Sequence, residues 1–546
     1  MNKSYLLIQQ LFSIRNQFGK KYAAQKINLL TALAAERIAS KKALHTYYDC
    51  LLFMEAYPEN KVVYEMTRRS QERLEQYIQS HQGIKNSLYN SGMAQTELCA
   101  AFSFEMVKWI RKNFPAAISL NSFDAKDGQV RSILSVVMPR IESEILLDEN
   151  ESWKSWLKKT MSKGEEMLDR LIAIFNETDI RPEVRDELWE ALGLNVEIKF
   201  SSRARLPASL VKPYYHHLLI KKPVRIQTGL KPIKVDLNES ESAGIIATAR
   251  MILVQHLREI DPITFTDNPY ISYYHLSRGV SIALMGMVPE RRTPIDCYMG
   301  YMVFKNGLPV AYAGSWILFD SGRIGLNIFP AYRGGESKYI FEGVLNLHRA
   351  VYRVNRFTVD PYQIGKENSD GIHSGAFWLW YHAGFRPLRK QQQQLAEMEE
   401  LKIRTVRGYR SPENVLKKLA DSRMELILQK KPVRFDATDL SRVFAAILKK
   451  DHNNNYKIAR EKNFIRLAKI LQIKNYHEQE IQYILKNWCV LLLNSKQPLK
   501  FSNILKKNLK KLFELKAKGT EEEYISLLQR SGILKRIIRD LFNSEP

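Results

Sequence analysis

The run CYMGYMVFKNGLPVAYAGSWILFDSGRIGLNIFP, residues 297–330, constrains the fold of this chain more than any other stretch. Aromatic and β-branched residues dominate it, and turn residues cut it at Asn306-Gly307 and again at Ser321-Gly322. A two-residue type I′ hairpin turn needs positive φ at both central positions, which Asn-Gly supplies at low cost. The run therefore predicts three antiparallel strands in a meander, at about 297–305, 308–319 and 323–329. Beyond it the order is turn, helix, strand, turn, helix, then Gly384-Phe385 and another extended run. A sheet with helices returning to it is an α/β unit, mixed but mainly antiparallel.

The rest of the chain cannot belong to one such unit. At 546 residues it exceeds the roughly 250 to 300 at which a single core stops growing, so several domains are expected. From Leu6 to about Leu194 apolar residues recur at three- and four-residue steps, as in an all-α scaffold. Pro58 introduces one amphipathic helix, and 151–176 reads as another. Around 195–240 the segment NVEIKF is strand-like, and Pro207, Pro213, Pro223 and Pro232 then punctuate a basic connection. A helix follows, opened by Ser240 or Ser242. Past 390 an exposed helix leaves the α/β unit, and from Asp436 onward the pattern is helical again. The expected order is a helical N-terminal domain (1–195), a Pro-containing basic linker (196–240), the α/β domain (241–395) and a basic helical C-terminal domain (396–546).

Charge is concentrated at the C-terminal end. Residues 401–546 hold 32 Lys+Arg against 15 Asp+Glu, a balance of +17 out of +25 for the whole chain. Such a footprint suits a polyanion: RNA, an anionic membrane surface or an acidic carrier protein. The helix predicted over 502–518 sets Leu505, Leu509, Leu512 and Phe513 beside Lys506, Lys507, Lys510 and Lys511, which would suit either an anionic surface or a core position with solvated lysines. The four cysteines lie far apart without a CxxC pair, the first residues lack the apolar core of a secretory leader, and no run is long enough to span a bilayer. A cytoplasmic protein, peripheral at most at the inner membrane surface, is expected.

At the end of the third meander strand, Arg333-Gly334-Gly335 hands over to a helix beginning near Ser337. Backbone N–H groups at a helix start converge on one point, a natural phosphate site, although glycines there also serve steric needs alone. Together with the Asn-Gly hairpin, the Pro330-x-Tyr332-Arg333-Gly334 turn and the second helix ending in Ala383-Gly384-Phe385-Arg386-Pro387, residues 245–390 resemble the core of the GNAT superfamily of N-acyltransferases. The resemblance implies that coenzyme A pyrophosphate sits on the turn, here Arg333, Gly334, Gly335, Ser337 and Lys338. It also implies that the pantetheine arm lies between splayed fourth and fifth strands, here about 323–329 and 356–362. Glu336 and Lys338 stand where the superfamily's turn usually has small residues, and Trp380 stands where it often has the Tyr that protonates the leaving thiolate. Tyr381 and Tyr362 are therefore the candidate acids, with Asp360 and His373 as candidate bases.

The implied activity is transfer of an acyl group from a thioester, acyl-coenzyme A or an acyl carrier protein, to a small-molecule or lipid-like amine, with no metal. The segment before the hairpin, with Tyr273, Tyr274, His275, Arg278, Arg291 and Arg292, would shape the acceptor site. Two other functions fit the same fold: a non-catalytic binding or scaffold protein, and aminoacyl-tRNA-dependent transfer. No P-loop, HExxH or GxSxG competes, and the eleven histidines show no zinc spacing.

Overall fold

The computed structural model describes residues 3–147, 151–221, 226, 232–429, 433–493 and 501–542. Three strands, β1 (Glu97–Ala101), β2 (Ile118–Phe123) and β3 (Leu194–Lys199), form a small antiparallel sheet in the order β1-β3-β2. The central sheet takes β4 (Ile233–Val235), β5 (Ile271–His275), β6 (Val280–Met285), β7 (Cys297–Lys305), β8 (Leu308–Leu318) and β9 (Ser321–Ile324). It is completed by β10 (Asn327–Ile328), β11 (Arg356–Val359), β12 (Arg386–Pro387) and β13 (Met424–Ile427). Its order is β12-β13-β11-β9-β8-β7-β6-β5-β4, with β10 paired to β8. Every pairing is antiparallel except β9 with β11.

The meander forms for the reason its sequence implies. Asn306 (φ 47°) and Gly307 (φ 85°) both take positive φ, which joins β7 to β8 without splaying them. β7 and β8 are almost wholly buried, because helices and loops cover both faces; the Ser337–Tyr352 helix contributes Phe341, Val344 and Leu345 to that core.

Both ends of the chain are helical: among the described residues 3–87 and 437–542 contain no strand. Between them the outcome departs from the sequence reading in several places. The expected all-α domain over 1–195 is two modules with separate cores, a helical one ending near Met93 and an α/β one built on β1–β3 around Phe104, Phe175 and Trp189. The 151–176 helix is two, Trp153–Thr160 and Met167–Glu177. The linker ends in β4, an edge strand, and Asn238 rather than Ser240 or Ser242 caps the Glu239–Gln255 helix. β13 lies beyond residue 395 yet inserts between β11 and β12, so the α/β unit reaches at least Ile427.

The C-terminal helices are not a separate body. Their buried side chains, including Trp488, Leu509, Phe513 and Tyr524, are continuous with the core of the sheet. The Asn503–Lys518 helix packs the stripe of Leu505, Leu509, Leu512 and Phe513 inward, leaving Lys507 and Lys511 exposed and Lys506 and Lys510 half-buried. That stripe is core, so an apolar face for a membrane is not on offer there.

Candidate active-site cleft

The cleft is made where two neighbouring strands stop being neighbours. β9 and β11 pair only over 321–323 with 356–358. Past that point the chain crosses Gly325 and Leu326 onto β10, which pairs back onto β8 through Asn327–Tyr312 and Ile328–Ala311. β11 meanwhile ends at Val359 and enters the short turn Pro361–Ile364. Gln363 from that turn reaches across the gap, its Oε1 accepting the Leu326 N–H at 3.2 Å. In the opened wedge lies a cavity of about 770 Å³, in the range of small-molecule and cofactor sites.

On one wall Phe329 stacks between His256 and Tyr312, with ring centroids 4.4 and 5.2 Å away. His373, Leu379 and Trp380 also line the cavity, as do Arg333, Gly334 and Ser337. The Ser337–Tyr352 helix opens here, and no side chain caps its N-terminus. Orphan N–H groups and the positive end of a 16-residue helix therefore border the cavity. Gly334 (φ 84°) has open space around it, whereas a Cβ on Gly335 would stand 2.6 Å from the Tyr57 ring. The first glycine is needed for conformation, the second for the close approach of the N-terminal module.

The charges divide sharply at this turn. Glu336 points away from the cavity and is fully buried. Its carboxylate accepts from Lys305 Nζ (2.8 Å), Arg278 (2.6 Å) and the Ile220 N–H (3.0 Å). Burial alone would raise its pKa, but Lys305 and then Arg278 hold it below the usual value. Arg333 faces the other way, bidentate to Asp370 at 2.8 and 2.6 Å. Arg258, also on the cavity wall, forms no ion pair among the described residues. His256 is enclosed by the walls, and that desolvation, with the Arg258 charge second, lowers its pKa to about 4 and keeps the ring neutral. Burial pushes the Tyr312 phenol up.

Of the candidate catalytic and donor-binding residues, Arg333, Gly334, Ser337 and His373 line the cavity together. The others do not. Tyr381 packs on Phe377 with Arg386 over its ring at 4.1 Å, because one step along the helix from Trp380 turns the side chain by about 100°. Asp360 is held by Arg323 (3.4 Å) and Arg423 (3.0 Å). Tyr362 is exposed outside the cavity wall, Gly335 lies under Tyr57, and Lys338 acts on His382, whose pKa is lowered first by burial and then by that charge.

The upstream arginines are fasteners. Arg278 serves Glu336, Arg291 pairs with Asp186 at 2.5 Å, and Arg292 donates to the Met287 and Lys516 carbonyls. His256, Arg258 and Tyr312 escaped the sequence reading. The signal lay in His256-Leu257-Arg258, where Leu257 (φ 55°) ends the helix that the pattern appeared to continue. Among the described residues no group of three His, Cys, Asp or Glu side chains is placed to hold a metal ion. No protein-family model, curated protein or solved structure matches the chain.

Proposed function

We propose that the cleft binds an acyl thioester and transfers its acyl group to an amine, as in the GNAT superfamily that the sequence resembles. The observation that carries this reading is the parting of β9 and β10 from β11 beside the uncapped start of the Ser337–Tyr352 helix. An opened strand pair offers an extended thioester arm a slot with backbone groups along it, and a helix start beside the slot offers a seat for phosphate. Glu336, the residue that argued most against a phosphate donor, supports the reading by its placement, because its charge is consumed by Lys305 and Arg278.

In this reading the phosphates of coenzyme A, or of a carrier protein's phosphopantetheine, take Arg258, the Ser337 helix start and Arg333, which exchanges Asp370 for phosphate. The thioester carbonyl then lies near β10 and Phe329. Attack by the amine forms the C–N bond and breaks C–S, and a phenol returns a proton to sulfur. Tyr312 is that phenol, since it lines the cavity and Tyr381 does not. Holding donor and acceptor in one cleft supplies the orientation such a reaction needs.

The test is a transfer assay on the full chain with acyl-coenzyme A and acyl carrier protein as donors and a panel of amines, following amide and free thiol together. Equal release of both supports the reading. Tyr312→Phe is expected to lower turnover by roughly a hundredfold, and Tyr381→Phe to leave it unchanged. The opposite pattern returns the acid to Tyr381, and failure of both donors to bind removes the reading.

A further inference from the structure

A second chamber adjoins the cleft. It holds about 80 Å³, and His256, Phe329 and Pro330 line both it and the cleft, so the Phe329 stack is a wall common to the two. Its far wall belongs to the N-terminal helical module. His45, Tyr48, Asp49 and Leu52 of the Lys41–Ala56 helix line it at three- and four-residue steps, while Leu44, Tyr47 and Leu51 face that module's own core. The helix thus has two working faces, one of which closes the back of the cleft.

The polar groups of the chamber are unequal. Arg203 is already neutralised, bonded to Glu55 and Glu75 at 2.7 Å each. Tyr48 is deeply enclosed and its phenol pushed up to about 12, chiefly by burial. The Asp49 side chain makes no hydrogen bond or ion pair to any described residue, and Arg15 is the cation whose charge acts on it. A partly buried carboxylate with no directly bonded cation is costly, and a cationic ligand would relieve that cost. Burial raises its pKa to about 6, with Arg15 opposing, a value suited to a group that takes a proton near neutrality. At roughly 30 Å³ per water, the chamber takes two or three waters or an ammonium with one or two carbons, not a bulky or branched group.

We propose that this chamber receives the amine end of the acyl acceptor, a primary alkylamine, with Asp49 as the carboxylate that binds the ammonium and accepts its proton. The inference rests on the acyl-transfer reading of the cleft and adds a site outside the α/β unit. Asp49 takes one proton from R–NH₃⁺, leaving R–NH₂ beside the Phe329 wall common to chamber and cleft. The nitrogen lone pair forms the C–N bond to the thioester carbonyl and the C–S bond breaks. Of the two protons the nitrogen loses, one ends on the thiol sulfur and the other passes from Asp49 to solvent.

The experiment uses the full chain with n-butylamine, n-butanol and butyrate as probes, their binding followed by saturation-transfer NMR. Wild type is expected to bind butylamine in preference to the other two, and Asp49→Asn to lose it. Leu52→Trp, which fills the chamber and leaves the carboxylate, is expected to lose it too; this second variant decides the matter if Asp49→Asn does not fold. Acyl-coenzyme A titrated into the same proteins is expected to bind all three alike, while turnover with butylamine falls about a hundredfold or more in both variants. Butylamine binding that survives either substitution, or butyrate binding as well as the amine, overturns the proposal. Absence of acyl-coenzyme A and carrier-protein binding in wild type would instead overturn the reading of the cleft, and the amine experiment would still judge the chamber.

Discussion

Two buried lysines, at opposite ends of the sheet, fasten the flanking regions by the same device and differ in one instructive respect. Lys305 bonds Glu336 at 2.8 Å, and Lys516 bonds Glu521 at 2.8 Å; each glutamate stands at a helix start. The first pair ties down the N-terminal side, through Ile220 and through Tyr57, whose hydroxyl meets the Glu336 N–H. The second ties down the C-terminal helices, through the Asp296 carbonyl and Arg292. The difference is Arg278. It shares Glu336 with Lys305, so that site has two cations on one carboxylate, while His216 beside it is kept neutral, mainly by burial. Burial, reinforced by Arg278 and only partly offset by Glu336, lowers the Lys305 pKa to about 8, whereas the pKa of Lys516 is held above its usual value by Cys297 and Glu521 against its burial. The pair beneath the cleft therefore carries surplus positive charge under the proposed phosphate turn, and the distant pair is only a clasp.

The sharpest way to break this comparison is to remove each carboxylate. Glu336→Gln and Glu521→Gln should each cost about 3 to 5 kcal/mol in denaturant unfolding, because each leaves a buried lysine uncompensated. Losses below about 1 kcal/mol at both would show that neither pair fastens anything.

A smaller and more specific effect is expected on the alkaline side. For Lys305 the folded value lies below the unfolded one, so between pH 8 and 10.5 the unfolded chain binds more protons and this residue's contribution to stability rises with pH. For Lys516 the folded value lies above, so its contribution is complete below pH 10.5 and is lost as pH rises past it. Unfolding of Lys305→Met and Lys516→Met measured against wild type from pH 8 to 11 should show these opposite trends, and parallel trends would void the distinction. Smallest of all, reversing Lys507 and Lys511 to Glu should move stability by no more than about 0.5 kcal/mol, since both are exposed. The same variant tests whether that face binds anionic vesicles, RNA or an acidic carrier protein, whose attraction should weaken with salt.

What could be read in the sequence was local. Asn306-Gly307, the strand-to-helix turn at Arg333 and Gly384 (φ 100°) each need a backbone geometry that few residues provide, so they mark their positions without help from the rest of the chain. What could not be read depended on partners far away. MELI at 424–427 is too short for its alternation to stand out, and its pairing between β11 and β12 is set by the sheet. The direction of Glu336 was decided by Lys305 and Arg278, and the need for glycine at 335 by Tyr57, 278 positions earlier. His256 and Tyr312 are ordinary residues of a helix end and a strand until Phe329 brings them together.

In the proposed phosphate seat at Arg333, Asp370 occupies the arginine that would serve a thioester donor. Calorimetric titration of coenzyme A into wild type, Asp370→Asn and Arg333→Glu tests this directly. Asp370→Asn should bind about tenfold tighter than wild type, because it frees the guanidinium and removes a negative charge from the cavity, and Arg333→Glu should bind at least tenfold more weakly, about 1.4 kcal/mol in each direction. Identical affinities in all three proteins, or no heat of binding in any of them and none with acyl carrier protein, would contradict the account.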